Sequence, residues 1–245
     1  MSLFTLPANR TKIDSGTPTY STIYAPAVLP YWDQLSKALL DAKPKCSLPN
    51  DPVKAPLHKF AGLKKSFRTR PDLLKIPQQD VDELRDAHKR YVRQLPELAA
   101  KLPYAKGTRG IVTMAVGEYL PVLVVSLRML RRTGSGLPVE VYMRSRDGCE
   151  RDVCERILPG LNARCLVMAE VLDQVVTKVE LAEGQLKVFA MVFSRFNQVV
   201  WMDADEIAVE MPERMLEGQP FVERGFVSWP DYVGFTPPST RYVGS

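Results

Sequence analysis

Histidine is almost missing from this chain: His58 and His88 are the only two in 245 residues. Both lie far upstream of Cys149, Cys154 and Cys165, and none of the four cysteines forms a Cys-x-x-Cys pair. A structural zinc site, which needs four closely spaced thiolates and imidazoles, therefore has no support. Nor is there a nucleophile–base constellation, because Cys149 and Cys154 have no basic partner that the sequence identifies. Gly-Lys-Ser/Thr and Gly-x-Gly-x-x-Gly are both absent, which excludes a P-loop and a dinucleotide fingerprint. No basic stretch is interleaved with aromatics and no nucleic-acid module is recognisable, so the net charge of +5 does not point to nucleic acid. A mildly basic surface suits an anionic ligand, although much of the charge lies in the first 110 residues. The opening segment MSLFTLPANRTK has no sustained apolar core of the kind a secretory signal carries. The most apolar window, Ile111 to Leu130, contains Glu118, Pro121 and Arg128, which argues against a transmembrane span. As written, the chain reads as soluble.

The chain divides by texture. Residues 1–105 are rich in Pro, Lys, Ser and Thr and read as an irregular arm with two helical stretches. The first lies near 31–41, on YWDQLSKALL. The second spans about 80–95, with Val81, Leu84, His88, Tyr91, Val92 and Leu95 at helical spacing. Asp80 and Glu83 have the spacing of a capping box, and Pro96 and Pro103 are expected to break the helix beyond Leu95.

From residue 106 to 245 strands and helices alternate. RGIVTMA predicts a first buried strand ending near Gly117, and Glu118 to Arg132 a helix closed by Gly134-Ser135-Gly136. VEVYM at 139–143 predicts a second strand. Asp147 to Leu158 predicts a helix, RCLVMA at 164–169 a third strand, and Gln185 to Phe196 a helix with Leu186, Phe189, Ala190 and Phe193 on one face. QVVWM at 198–202 predicts a fourth strand and GFVSW at 225–229 a fifth. This alternation predicts an α/β fold: a mostly parallel twisted sheet covered by helices on both faces. In such sheets ligands bind outside the carboxyl ends of the strands. No repeat is present. After Trp229 the chain runs through several prolines to Ser245 without a closing element, which predicts a domain that continues beyond it.

The fourth strand runs straight into Asp203-Ala204-Asp205. A bare Asp-x-Asp says little, since Asp80-Val81-Asp82 has the same spacing and needs only the N-terminus of a polar helix. Asp203 differs because four apolar residues, Val199 to Met202, lead into it. Two carboxylates at i and i+2 of an extended segment point the same way and can meet one hard cation, Mg²⁺ or Mn²⁺, shared with phosphate oxygens. The competing reading is a strand-end turn with solvated aspartates. Lys187, on the helix before this strand, could reach a phosphate near that metal, or simply snorkel at the surface. Thr113, Ala115 and Gly117 end the first strand with small residues that would let a nucleotide approach the backbone, or they form a plain strand-to-helix turn. Trp229 and Asp231, in Trp-Pro-Asp, could face a sugar, or be a core tryptophan and a turn.

Four blocks in order resemble one family: RGIVTMAVGEYLPVLVVSLRMLRRTGSGLPVEVYM, CERILPGLNARCLVM, GQLKVFAMVFSRFNQVVWMDADEIAV and PFVERGFVSWPDY. Together they cover about residues 107–235 and resemble the fungal α-mannosyltransferases of glycosyltransferase family 71. The resemblance implies a GT-A fold whose Rossmann-like half binds GDP-mannose, Mn²⁺ (or Mg²⁺) as metal, and a mannose-containing glycan as acceptor. It implies mannan branching in protein glycosylation by retaining, α-linked transfer in the Golgi lumen, from a type II membrane protein whose anchor is not in this chain. It casts Asp203 and Asp205 as the metal-binding pair, Lys187 as a donor-diphosphate contact, and Thr113 to Gly117 as the nucleotide border. Cys154 and Cys165 match the family's Cys…Leu-Pro-x-Leu-Asn-Ala-x-Cys pattern, so the resemblance also implies a disulfide in an oxidising lumen. Family members continue well past Trp-Pro-Asp, where a third metal ligand and the acceptor side are expected. Two other readings stay open: a nucleotidyltransferase on a similar sheet, which usually carries a basic Gly-rich loop that AVGEYLP is not, and a non-catalytic incomplete copy.

Overall fold

A computed structural model describes residues 25–46, 76–115 and 117–228. They fall into two units: residues up to 36 together with 101–226, and residues 37–100 together with the chain from 227 onward.

The smaller unit is built on helix α2, Gln78–Ala99; helix α1, Ala25–Asp41, contributes its last turn to this unit. Within this unit Gln94 donates to Asp41 at 3.0 Å. Two expectations fail here. Pro77 is the N-cap of α2 and no side chain caps it; Glu83 instead accepts the Lys45 backbone N–H at 3.1 Å and the Arg90 guanidinium at 3.3 Å. Those two bonds hold the Glu83 carboxyl below its ordinary range. Pro96 does not break the helix. It removes one donor near the C-terminus, but the Ala100 N–H still reaches the Pro96 carbonyl and Leu98 is buried, so the last turn stays.

The larger unit contains a four-stranded, all-parallel sheet in the order β3-β2-β1-β4. The strands are β1 Ala105–Met114, β2 Val139–Met143, β3 Ala163–Val167 and β4 Phe196–Trp201. This is the α/β architecture that the alternation predicts. Helix α3, Tyr119–Arg132, connects β1 to β2, and helix α4, Glu183–Phe193, precedes β4. Pro121 is tolerated because it sits in the first turn of α3, whose N–H groups have no intrahelical partner anyway.

The strand registers define the faces of the sheet. Ile111 and Thr113 of β1 lie beside Val139 and Val141 of β2, and beyond them Ala163 and Cys165 of β3. Leu120, Leu123, Leu127 and Leu130 of α3 are fully buried in the same cluster as Ile111, Val139 and Val141. Losing any one of these leucines to alanine costs ~2–5 kcal/mol. On the opposite face Val112, Glu140 and Trp201 lie side by side. There α4 buries Leu186, Ala190 and Phe193, while Phe189 is half-buried. Trp32, from the first part of α1, packs edge-on against Phe189 and Phe193, with ring centroids 5.5 and 5.7 Å away. Helix α1 begins before the expected span because Val28, Tyr31, Trp32 and Leu35 make one continuous buried stripe through Pro30.

β1 and β4 approach closely at Gly110. A Cβ there would overlap the Phe196 ring, which is itself buried. The predicted helix over 147–158 is instead a 3₁₀ turn, Arg146–Gly148, followed by a π turn, Val153–Ile157, that runs into Leu158–Gly160. The predicted helix end at Phe196 is also displaced, since Phe196 opens β4. No strand forms over 225–228: Gly225 takes φ +71° and ends the short helix Phe221–Arg224, and Phe226 stands exposed. No helix among the described residues is long and apolar enough to cross a membrane.

Candidate active site

The strand order itself creates the site. From β1 the chain moves to β2 and β3 on one side, whereas β4 lies on the other side of β1. The crossovers therefore diverge between the carboxyl ends of β1 and β4, where doubly wound sheets leave a crevice. The carboxyl end of β4 is Trp201, and Met202 and Asp203 come directly after it.

Asp203 is held from three directions. The Lys187 ammonium, on α4, lies 2.6 Å from one carboxylate oxygen and 3.0 Å from the other. The Trp201 indole N–H donates to Asp203 Oδ1 at 3.1 Å. The Asp203 backbone N–H donates to the Glu206 carboxylate at 2.8 Å. The ammonium also stands 5.2 Å from the centroid of the Trp201 ring, within cation–π range. Trp201 and Asp203 are two residues apart, so the pleat turns both toward the α4 face.

Asp203 and Lys187 are 39% and 48% exposed, so the ion pair is solvent-screened and contributes at most ~1 kcal/mol to stability. Asp205 is exposed, and its side chain has no partner among the described residues. One expectation changes here. Ala204 and Asp205 form a turn, closed by the Glu206 N–H on the Asp203 carbonyl at 3.0 Å, so strand pleating does not align the two carboxylates. The turn is anchored from behind, because the buried Ser126 hydroxyl of α3 donates to the Glu206 carbonyl. The approach strand is less buried than its apolar sequence suggests: Val199, Val200 and Trp201 are only half-buried. Among the described residues β4 has a neighbour on one side only.

The β1 side is divided. Thr113 is fully buried, and its hydroxyl has no hydrogen-bond partner among the described residues. It lies on the α3 face beside Val141, away from Asp203. Ala115 is buried, and its N–H continues the ladder to the Tyr142 carbonyl at 3.3 Å. Gly117 is half-exposed with φ +52° and open space where a Cβ would stand. Of the three, Gly117 leaves the backbone most open. Trp229 and Asp231 lie outside the described residues.

Beneath the site lies a second charged cluster that no motif announced. Glu140, in mid-β2, is 1% exposed. Its carboxylate accepts from Ser194 at 2.8 Å and from Tyr142 at 3.3 Å, with the Arg164 and Arg195 guanidiniums at 3.2 and 3.4 Å. Burial pushes the Glu140 carboxyl above its ordinary range, although these neighbours favour its charged form. An acid inside the apolar run VEVYM was the visible signal. Trp201, two residues before Asp203 on an alternating strand, was equally legible.

Cys154, in the π turn, and Cys165, on β3, are joined by a disulfide with Cα atoms 5.6 Å apart.

The four-stranded, all-parallel sheet flanked by helices is a GT-A-like arrangement. The family model described as "Mannosyltransferase putative" matches residues 108–243, and the chain belongs to that family. Curated relatives of the chain include alpha-1,2-mannosyltransferases. MNN21 of Candida albicans is 33% identical over 82% of this chain and 33% of its own length. MNN2 of Saccharomyces cerevisiae is 29% identical over 76% of this chain and 31% of its own. MNN5 of Saccharomyces cerevisiae is 30% identical over 67% of this chain and 29% of its own. The chain thus spans about a third of the length of the curated relatives it matches.

Proposed function

We propose that this chain carries the donor-binding part of an α-mannosyltransferase that moves mannose from GDP-mannose to a mannose-containing glycan with retention at the anomeric carbon. The observation that carries the reading is the Lys187–Asp203 pair at the crevice between β1 and β4. Its position suits a diphosphate. Lys187 offers a mobile ammonium to the phosphate oxygens. The exposed Asp203 and Asp205 carboxylates offer oxygen ligands to Mn²⁺ or Mg²⁺. Such a cation would supply charge neutralisation of the departing GDP. Residues and group are compatible: Asp205 has no partner to give up among the described residues, and Asp203 already faces a cation. Asp203 and Asp205 would hold the divalent ion, and Lys187 would then be free to meet the diphosphate. Trp201 and Glu206, both bonded to Asp203, would keep it in place.

A mannan-type glycan acceptor, a place in the Golgi lumen and a membrane anchor belong to the same proposal; the relatives' names support the mannosyl transfer alone. So does the division into an arm, 1–105, and a donor-binding domain, 106–245.

Titration calorimetry of GDP and GDP-mannose tests the reading, with and without Mn²⁺, on the chain and on Asp205→Ala. Metal-dependent binding that the substitution weakens at least tenfold is expected. GDP affinity that ignores both metal and substitution would sink the metal assignment, and preference for nucleoside triphosphates over GDP-mannose would favour a nucleotidyltransferase.

A further inference from the structure

One cluster stands apart from the crevice. Cys149, Cys154 and Cys165 bring three sulfurs together, each within 4.8 Å of the others. Cys154 and Cys165 share the disulfide, and the free thiol of Cys149 lies 2.7 Å from the Cys154 sulfur. Cys149 is 5% and Cys154 8% exposed, whereas Cys165 is only half-buried. A free thiol beside a disulfide sulfur is placed near the bond that thiol–disulfide exchange would break.

We infer that these three cysteines form an internal thiol–disulfide exchange site, in which Cys149 displaces Cys165 from Cys154. The Cys149 thiol gives its proton to solvent. Its sulfur attacks the Cys154 sulfur; the Cys149–Cys154 bond forms as the Cys154–Cys165 bond breaks. The bonding pair leaves on the Cys165 sulfur, which takes a proton. Two electrons stay within the three sulfurs throughout, so no external oxidant or reductant is needed. The product carries its free thiol at the least buried of the three positions. The cross-link between β3 and the π turn is replaced by one confined to the segment before β3. Within this cluster the exchange thus makes Cys165 the position at which soluble thiol reagents react; Cys46, elsewhere in the chain, is a separate free thiol.

The surroundings set the rate. Burial pushes the Cys149 thiol up to about 12, Arg146 opposes this, and Glu170 and Glu155 add to it. The attacking species is the thiolate. Exchange is therefore slow at neutral pH and accelerates about tenfold per pH unit below that value.

Trapping and peptide mapping test the inference. Trypsin cuts after Arg146, Arg151, Arg156 and Arg164, so each cysteine falls on its own peptide. The oxidised chain is held in excess N-ethylmaleimide between pH 6 and pH 8, quenched in acid and mapped without reduction. The expected result is label on Cys165 with Cys149 linked to Cys154, appearing about tenfold faster per pH unit. Cys149→Ser should abolish that label while keeping the Cys154–Cys165 link, and Cys165→Ser should form the Cys149–Cys154 link in a glutathione redox buffer. Label on Cys149 and none on Cys165, with Cys154–Cys165 intact and whatever label Cys46 takes, would overturn the inference, as would equal labelling of Cys165 in Cys149→Ser. So would zinc bound to three reduced cysteines in the native mass. Should Cys165→Ser fail to fold, the mapping of the unaltered chain decides alone.

Discussion

Two carboxylates share the α4 side of the same sheet, and each meets cationic side chains, yet they do opposite work. Glu140 sits in the middle of β2, buried, with two hydroxyl donors and two guanidiniums around it. Asp203 sits just past the end of β4, more than a third exposed, with one ammonium, one indole N–H and open solvent. Desolvation makes the first cluster costly to break, because the Glu140 carboxylate is buried and depends on these partners. Solvent makes the second pair easy to break, and so available for a change of partner. Position along the strand, not residue chemistry, decides which acid is structural and which is free to act.

Glu140→Ala should have the largest effect, a loss of ~3–5 kcal/mol, because it removes the buried carboxylate that accepts from Ser194 and Tyr142 and faces Arg164 and Arg195. Thermal or urea unfolding of the full chain measures it. A loss under ~1 kcal/mol, the size of a screened surface pair, would erase the distinction between the two acids. Next is pH dependence. Glu140 holds its proton more tightly folded than unfolded, so its contribution is fully present below the ordinary carboxylate range. It falls as pH rises from there through the elevated folded value. Glu140→Gln should remove that decline, read by comparing unfolding midpoints of the two proteins from pH 4 upward.

Asp203→Asn should sharpen the contrast from the other side, changing stability by less than ~1 kcal/mol because the pair is screened. Under the proposed function it should still weaken metal-dependent GDP binding at least tenfold, in the same calorimetric titration. The smallest effect is expected from Trp201→Phe, which keeps a ring near Lys187 and deletes the N–H to Asp203. At most about 0.5 kcal/mol of stability is at stake, the low end for a hydrogen bond to a partly exposed group, and GDP affinity should fall less than for Asp203→Asn. An equal fall would mean that the indole does more than orient the carboxylate.

How legible the fold was depended on how local its cause was. VEVYM marked a strand with the observed ends because every residue in it is buried. The Asp147 to Leu158 helix misled, since its apolar spacing could not reveal that Cys154 is bonded to Cys165 across eleven residues and sits in a π turn. GFVSW had strand composition, but a strand needs a neighbour, and Gly225 ends a helical turn there instead. At the site, Lys187 and Asp203 were both nameable in advance. Their meeting at 2.6 Å was not, because it depends on how α4 crosses β4.

The alternation of strands and helices, the acids at the end of an apolar run, and the family could all be read from the chain alone, since each is written in short-range order. Tertiary packing put β4 on the far side of β1, so the crossovers diverge at their carboxyl ends. It placed a turn rather than a pleat between Asp203 and Asp205. It also chose which thiol stands beside the disulfide. Those outcomes come from contacts between segments far apart in the chain, where a distance of about an ångström sets the chemistry and no local pattern records it.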